Sequence, residues 1–228
     1  MPSSSRRAAE VLCAALSLAA VVIAAGCTLP KNPILPATPP RPDRLTVVFL
    51  GDSLTAGYGV TAGQSFPSLI QAYWSRKGLP YRVVNEGISG DTTADVLDRL
   101  GSSRSPQAEL TVLEIGANDA FGGVPVGTIA SNIRLIIEQI RRGGSRVALC
   151  SMFFGDGFLP AGGGYAREFN ALYSEVGRAE NVPVLPPLLR SLFTRADLWQ
   201  SDRLHPTAEG HALIARDLLT DLNPEWRE

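Results

Sequence analysis

Ser53 stands out first, because the apolar run "LTVVFL" from Leu45 to Leu50 leads straight into Gly51-Asp52-Ser53 and then into the small residues of "LTAGYG". A hydroxyl delivered at the end of a buried strand can act as a nucleophile when a base stands beside it. Two plainer readings compete with that one. Asp and Ser after a strand commonly cap the next helix, and a Gly-rich loop can cradle phosphate, although this stretch lacks the Gly-Lys-Ser/Thr ending of a P-loop. The nucleophile elbow Gly-x-Ser-x-Gly of ordinary α/β-hydrolases is absent.

A serine hydroxyl is a weak nucleophile at neutral pH, and histidine is its usual base. The chain has 2 histidines. His205 lies in "SDRLHPTAEGH", three residues after Asp202 and directly before Pro206. At that separation the carboxylate can accept from one ring nitrogen, fix the tautomer and leave the other nitrogen for a serine hydroxyl. A helix-entry Asp beside a structural His is the alternative. His211 falls within the following amphipathic helix and is expected at the surface or in a groove. Acyl transfer also needs donors for a developing oxyanion. "NEGISGDTT" offers the Gly90 backbone N–H and "IGANDA" the Asn118 side-chain amide, alongside the Ser53 N–H. Singly these are ordinary turn and cap residues; together they place one usable group after each of three successive strands.

The elements that must position them follow from periodicity. "LTVVFL", "YRVVN", "ELTVLEIG", "RVALCSM" and "NVPVL" are short apolar runs bounded by Gly, Pro or Asn, as for strands covered on both faces. Between and after them, "FPSLIQAYWSRKG", "TADVLDRLG", "GTIASNIRLIIEQIRRGG", "YAREFNALYSEVGRAE" and "TAEGHALIARDLLTDL" carry apolar residues at helical spacing. This alternation predicts a single-domain, doubly wound α/β/α sandwich with a five-stranded parallel sheet, whose ligands collect beyond the carboxyl ends of the strands. The stretch "FFGDGFLPAGGGY" reads either as a mobile wall over the site or as a plain surface loop with two core aromatics.

With 228 residues, 45% hydrophobic and 19% charged, the chain suits one globular domain with terminal extensions, and a net charge of -1 gives no footprint for gripping nucleic acid. At the N-terminus, Arg6 and Arg7 precede an uncharged apolar run of about 15 residues, Val11 to Ala25, shorter than the roughly 20 that a membrane-spanning helix needs. Its ending "IAAGC" resembles a bacterial lipoprotein signal, which implies cleavage before Cys27 and diacylation of that cysteine. Residues 1–27 are therefore expected to be a signal peptide ending in a lipidated Cys27, with ordinary signal cleavage or an uncleaved anchor helix as the alternatives, residues 28–44 a Pro-rich linker, and residues 45–228 the folded domain. The expected location is outside the cytoplasm, tethered to a membrane in the periplasm or on the outer surface. Cys150, within "RVALCSM", reads as a small buried hydrophobe.

"GDSLTAGYG", "SGDTT", "GANDA" and "DRLHP" occur in the order of the four blocks of the SGNH (GDSL-type) hydrolase superfamily, and the chain from about Leu45 onward resembles that superfamily. The resemblance implies a flavodoxin-like sandwich, no metal or other cofactor, and hydrolysis of small acyl esters or thioesters through an acyl-serine. It assigns Ser53 as nucleophile, His205 as base, Asp202 as its orienting partner, and Ser53, Gly90 and Asn118 as oxyanion donors. "YAREFNALY" and "TVLEIGAND" look most like the bacterial thioesterase I, arylesterase and lysophospholipase branch. That branch often reads "GGNDGLRG" where this chain has "GANDAFGG"; the missing arginine bears on substrate preference rather than chemistry. An O-acetyl esterase of polysaccharide or peptidoglycan and a non-catalytic binding lipoprotein are the alternative functions.

Overall fold

Five runs of β-favouring residues pair side by side in the computed structural model, which describes residues 45–102 and 108–222. They are β1 (Leu45–Gly51), β2 (Tyr81–Gly87), β3 (Leu110–Glu114), β4 (Arg146–Cys150) and β5 (Val184–Leu185). All pairs are parallel and the spatial order is β2-β1-β3-β4-β5. The expected signal segment, Cys27 and the linker lie outside the described residues. Among the described residues no helix is long and apolar enough to cross a membrane.

Among the described residues seven α-helices accompany the strands: α1 (Ser53–Ala56), α2 (Phe66–Arg76), α3 (Thr93–Ser102), α4 (Ala117–Phe121), α5 (Val126–Arg142), α6 (Gly162–Glu180) and α7 (Ala208–Asp221). Parallel neighbours require crossover connections, and right-handed crossovers reverse faces when the chain reverses its direction across the sheet. The chain does so after β2. Accordingly α2 packs with α7, while α3, α5 and α6 pack in series. α5 shows why these segments are helical: Ile129, Ile133, Ile136, Ile137 and Ile140 recur at spacings of three and four and are all buried. Burying each such side chain contributes about 1.5–3 kcal/mol.

Strand burial departs from expectation at one edge. Every residue of β3 is buried, as a central strand covered on both faces requires, but β2 has no fully buried residue. β2 pairs with β1 alone, so its apolar run reflects partial cover. β5 is also shorter than "NVPVL" suggests, because Pro183 has no N–H to donate to the ladder and only Val184–Leu185 form strand.

The sheet order places a topological switch point between β1 and β3, whose neighbouring connections leave in opposite directions. Gly51 is level with both Gly87 of β2 and Glu114 of β3. The segments that follow these three residues therefore emerge from one edge of the sheet.

Candidate active site

β1 ends at Gly51, and the chain turns at once into α1. Asp52 supplies the N-cap, its Oδ1 accepting from the Leu54 N–H at 2.9 Å, and Ser53 is the first helical residue. The capping reading thus belongs to Asp52 and leaves the Ser53 hydroxyl unused by the cap. Gly57, at φ 83°, closes α1 in the left-handed conformation that glycine adopts without strain.

The partner arrives from the other end of the chain. His205 Nε2 stands 2.9 Å from Ser53 Oγ, and His205 Nδ1 stands 2.7 Å from Asp202 Oδ2. Asp202 Oδ1 accepts from the backbone N–H groups of Leu204, at 2.9 Å, and His205, at 3.0 Å. Desolvation opposes ionisation of Asp202, yet these N–H groups and the imidazole hold its carboxyl down at about 2. It is therefore charged throughout the neutral range, and it fixes the imidazole with one nitrogen free for the serine proton.

Gln200 and Tyr58 hold the histidine loop over the serine loop. The Gln200 side-chain amide donates to the carbonyls of Tyr58 and Pro206, both at 2.8 Å, and the Gln200 N–H donates to the His205 carbonyl at 2.8 Å. Gly59 makes this clasp possible, since a Cβ there would lie 2.1 Å from Gln200 Oε1. The Tyr58 ring packs against the imidazole with centroids 4.5 Å apart.

Gly90 and Asn118 come from the loops after β2 and β3. Gly90 has φ 91°, a conformation that L side chains rarely adopt, and Asn118 sits in the first turn of α4. Asn118 Nδ2 donates to the Asp91 carbonyl at 2.8 Å, which ties the two loops together. Arg99 anchors the same loop, with Nε 2.8 Å from Asp91 Oδ2 and an Nη donating to the Glu86 carbonyl at 2.8 Å and, more weakly, to the Gly51 carbonyl at 3.4 Å. Desolvation raises the Asp91 carboxyl and the Arg99 charge opposes that rise. Asp119 accepts from the Thr93 N–H at 2.8 Å and hydroxyl at 2.6 Å, joining α4 to the start of α3.

The structure thus joins Ser53, His205 and Asp202 by direct hydrogen bonds, and links the Gly90 loop to Asn118 through Asp91. Gln200, Arg99, Asp119 and the buried pair Asp52 and Glu114 were not singled out from the sequence. "GDS" and "GANDA" contain two of them, Asp52 and Asp119, but a motif does not reveal which residues face inward. His211 differs from its surface or groove placement: it is fully buried, stacks on Phe66 with centroids 6.1 Å apart, and has neither ring nitrogen hydrogen-bonded. Burial, followed by the nearby His205, pushes its ring down to about 4.

In "FFGDGFLPAGGGY", Phe154 is buried and its backbone N–H and carbonyl both pair with the Asn170 amide at 2.9 Å. Phe158 is about half exposed and packs on Phe154 and on Phe121 of α4. The loop is thus pinned to α6 and abuts the helix that carries Asn118. Cys150 is buried as expected. Among the described residues no group of three or more His, Cys, Asp or Glu side chains could hold a metal ion.

Comparison with known proteins bears on the same blocks. The model of the GDSL-like lipase/acylhydrolase family matches residues 49–213. An arylesterase of Vibrio mimicus is 31% identical over 177 residues, which cover 77% of this chain and 87% of that protein. The thioesterase 1/protease 1/lysophospholipase L1 of Escherichia coli K12 is 30% identical over 182 residues, 78% of this chain and 84% of that protein. The structure of esterase EstA from Pseudoalteromonas sp. superposes with a TM-score of 0.74 and 23% identity, covering 80% of this chain and 99% of that one, a likeness of fold.

Proposed function

Because the chain belongs to the GDSL-like lipase/acylhydrolase family, we propose that it is a serine esterase that hydrolyses small acyl esters and thioesters through an acyl-enzyme on Ser53. One observation carries this reading. The Ser53 hydroxyl, the His205 imidazole and the Asp202 carboxylate form a continuous relay with links of 2.9 and 2.7 Å.

In the mechanism that follows, His205 Nε2 takes the Ser53 proton as Oγ attacks the acyl carbonyl carbon. The carbonyl π electrons move onto oxygen, where the Ser53 and Gly90 N–H groups and the Asn118 amide stabilise the charge. Collapse breaks the bond to the leaving oxygen or sulfur, which receives the proton from the imidazolium. Water then attacks the acyl-serine with His205 again acting as base, and the acid departs as Ser53 recovers its proton. Throughout, Asp202 holds the ring and offsets the imidazolium charge.

Tyr58 beside His205 and Ile88 two residues before Gly90 are 51% and 48% exposed, which suits a substrate with an apolar acyl or aryl part. A tether through a diacylated Cys27, with the Pro-rich segment 28–44 as stalk and the domain held outside the cytoplasm, rests on the lipoprotein-like ending "IAAGC". Intact mass of the membrane-extracted protein tests it, a mature N-terminus at an acylated Cys27 being the expected result. For the activity, a panel of p-nitrophenyl esters, acyl thioesters and acetylated sugars is the test. Turnover of the first two, abolished by Ser53→Ala, is expected; unchanged turnover in Ser53→Ala overturns the assignment.

A further inference from the structure

Directly beneath the serine turn lie two carboxyl groups that this mechanism does not use. Asp52 and Glu114 are each only 1% exposed. One oxygen of each is satisfied: Asp52 Oδ1 accepts from the Leu54 N–H, and Glu114 Oε2 accepts from the Thr55 hydroxyl at 2.8 Å. The other two oxygens, Asp52 Oδ2 and Glu114 Oε1, are fully buried without a hydrogen-bond partner, while the Asp52 and Thr55 backbone N–H groups favour the Glu114 charge. Glu114 is level with Gly51, the residue before Asp52, and bonds Thr55 in the same turn, so the two carboxyls lie under one loop and each acts on the other's charge.

Two carboxylates cannot both stay ionised at such a site, because burial penalises each charge and like charges repel. One proton shared by the two carboxyls removes both difficulties. It turns one carboxyl into an O–H donor to the other, leaves a single negative charge, and connects β3 to the Asp52 cap and, through Thr55, to α1. We propose that Asp52 and Glu114 hold one proton between them in the folded protein, and that this pair is a positioning device for Ser53. The second half rests on Ser53 acting as nucleophile; the first does not.

Burial, the largest cause, pushes Glu114 up to about 7, and burial followed by the Glu114 charge raises Asp52 well above the usual carboxylate range. The surrounding titratable and charged groups are few. His205 faces Asp52, and its positive form favours the Asp52 charge. The Tyr173 hydroxyl of α6 and the Cys150 thiol of β4 both feel the Glu114 charge and are raised by their own burial. Asp119 faces Tyr173, and the Arg99 guanidinium reaches the Gly51 carbonyl but is ion-paired with Asp91. Gly51 completes the enclosure, since a Cβ there would lie 2.7 Å from Glu114 Oε2.

Infrared difference spectroscopy of the whole protein reads the proton itself. Between mildly acidic and alkaline pH the wild type should show the carbonyl band of one protonated carboxylic acid, and both Asp52→Asn and Glu114→Gln should lose it. Absence of the band in the wild type, or its persistence in both variants, overturns the shared proton. The positioning half is read from the rate at which a serine-directed phosphonate labels Ser53. Glu114→Ala should be slowed by about tenfold or more, because the Asp52 charge is left unpartnered. Glu114→Gln, whose amide can donate to Asp52 as the acid does, should recover most of the rate. Its rate relative to wild type should climb as the pH passes about 7, where the natural pair gives up its proton. A constant ratio across that range refutes the positioning role, even if Glu114→Ala fails to fold. Retained esterase activity in Ser53→Ala together with the acid band would instead sink the nucleophile assignment and leave the pair standing.

Discussion

Replacing Asp202 by alanine removes three contacts at once: the 2.7 Å bond to the imidazole and the two backbone bonds that shape the loop before it. Its effect on the reaction is mainly lost compensation of the imidazolium that forms as Ser53 attacks. The Asp202 side chain is 39% exposed and that of His205 14%, so water screens the pair. At their separation and an effective dielectric of about 40 to 80, Coulomb's law gives about 1.5–3 kcal/mol. Asp202→Ala should therefore lower kcat/KM by about 10- to 150-fold. A buried orienting carboxylate would be worth far more, about 10⁴-fold where its loss imposes the wrong tautomer. Asp202→Asn makes that contrast within one protein. Its oxygen still accepts from Leu204 and His205, which turns the amide N–H toward Nδ1 and puts the ring proton on Nε2, where it blocks proton transfer from Ser53. The asparagine variant should be the slower of the two. Initial rates on a short p-nitrophenyl ester decide; an alanine variant within about threefold of wild type, or an asparagine variant faster than alanine, refutes the reasoning.

Asn118→Ala should reduce kcat by about 10²- to 10³-fold with little change in KM, since a donor to the oxyanion matters mostly in the transition state; a change confined to KM contradicts that role. Gly51→Ala should destabilise the fold by about 1–3 kcal/mol or more and impair turnover, because its Cβ would lie 2.3 Å from Thr55 Oγ1 and 2.4 Å from the immovable Glu114 carbonyl oxygen; denaturant melts measure it, and unchanged stability is the contrary result. Among the contributions to stability against pH, those of His211 and Glu114 oppose each other directly. His211, held at about 4 against an ordinary 6.5, stabilises the fold above 6.5 and loses that contribution as pH falls toward 4. Glu114, raised from 4.5 to about 7, contributes below 4.5 and loses that contribution as pH rises through 7. Glu114→Gln should therefore show stability rising with pH across the interval where the two overlap, and His211→Phe should show it falling; equal slopes in both variants contradict the assignment. Asp202 lies outside this competition, because its charge is lost only as pH falls toward 2.

The alternation of apolar runs with helical spacing was enough to read the parallel sheet and its five strands, because both faces of the inner strands are covered and their sequences say so. It could not show that β2 is an edge, since Val83 and Val84 look the same in sequence whether covered fully or partly. Ser53, Asp202 and His205 were legible because a nucleophile needs a base and the base needs an orienter, which leaves few candidates in a chain with 2 histidines. The supports were not legible in the same way. Gln200 matters only because folding brings it to Tyr58, 142 positions away, and Glu114 sits in an apolar run where nothing local announces its partner. His211 was misplaced because helical spacing alone does not tell which face α2 covers; the Phe66 ring stacks on it from that helix.

Everything functional here depends on the hydroxyl at position 53 being made reactive by the imidazole from the far end of the chain. Stoichiometric treatment with a serine-directed phosphonate, followed by intact and peptide mass measurement, tests this most directly. The expected result is one adduct per chain, on Ser53, with activity lost in proportion and labelling strongly slowed in His205→Ala. Labelling at another residue, or full activity in protein completely modified at Ser53, would contradict it.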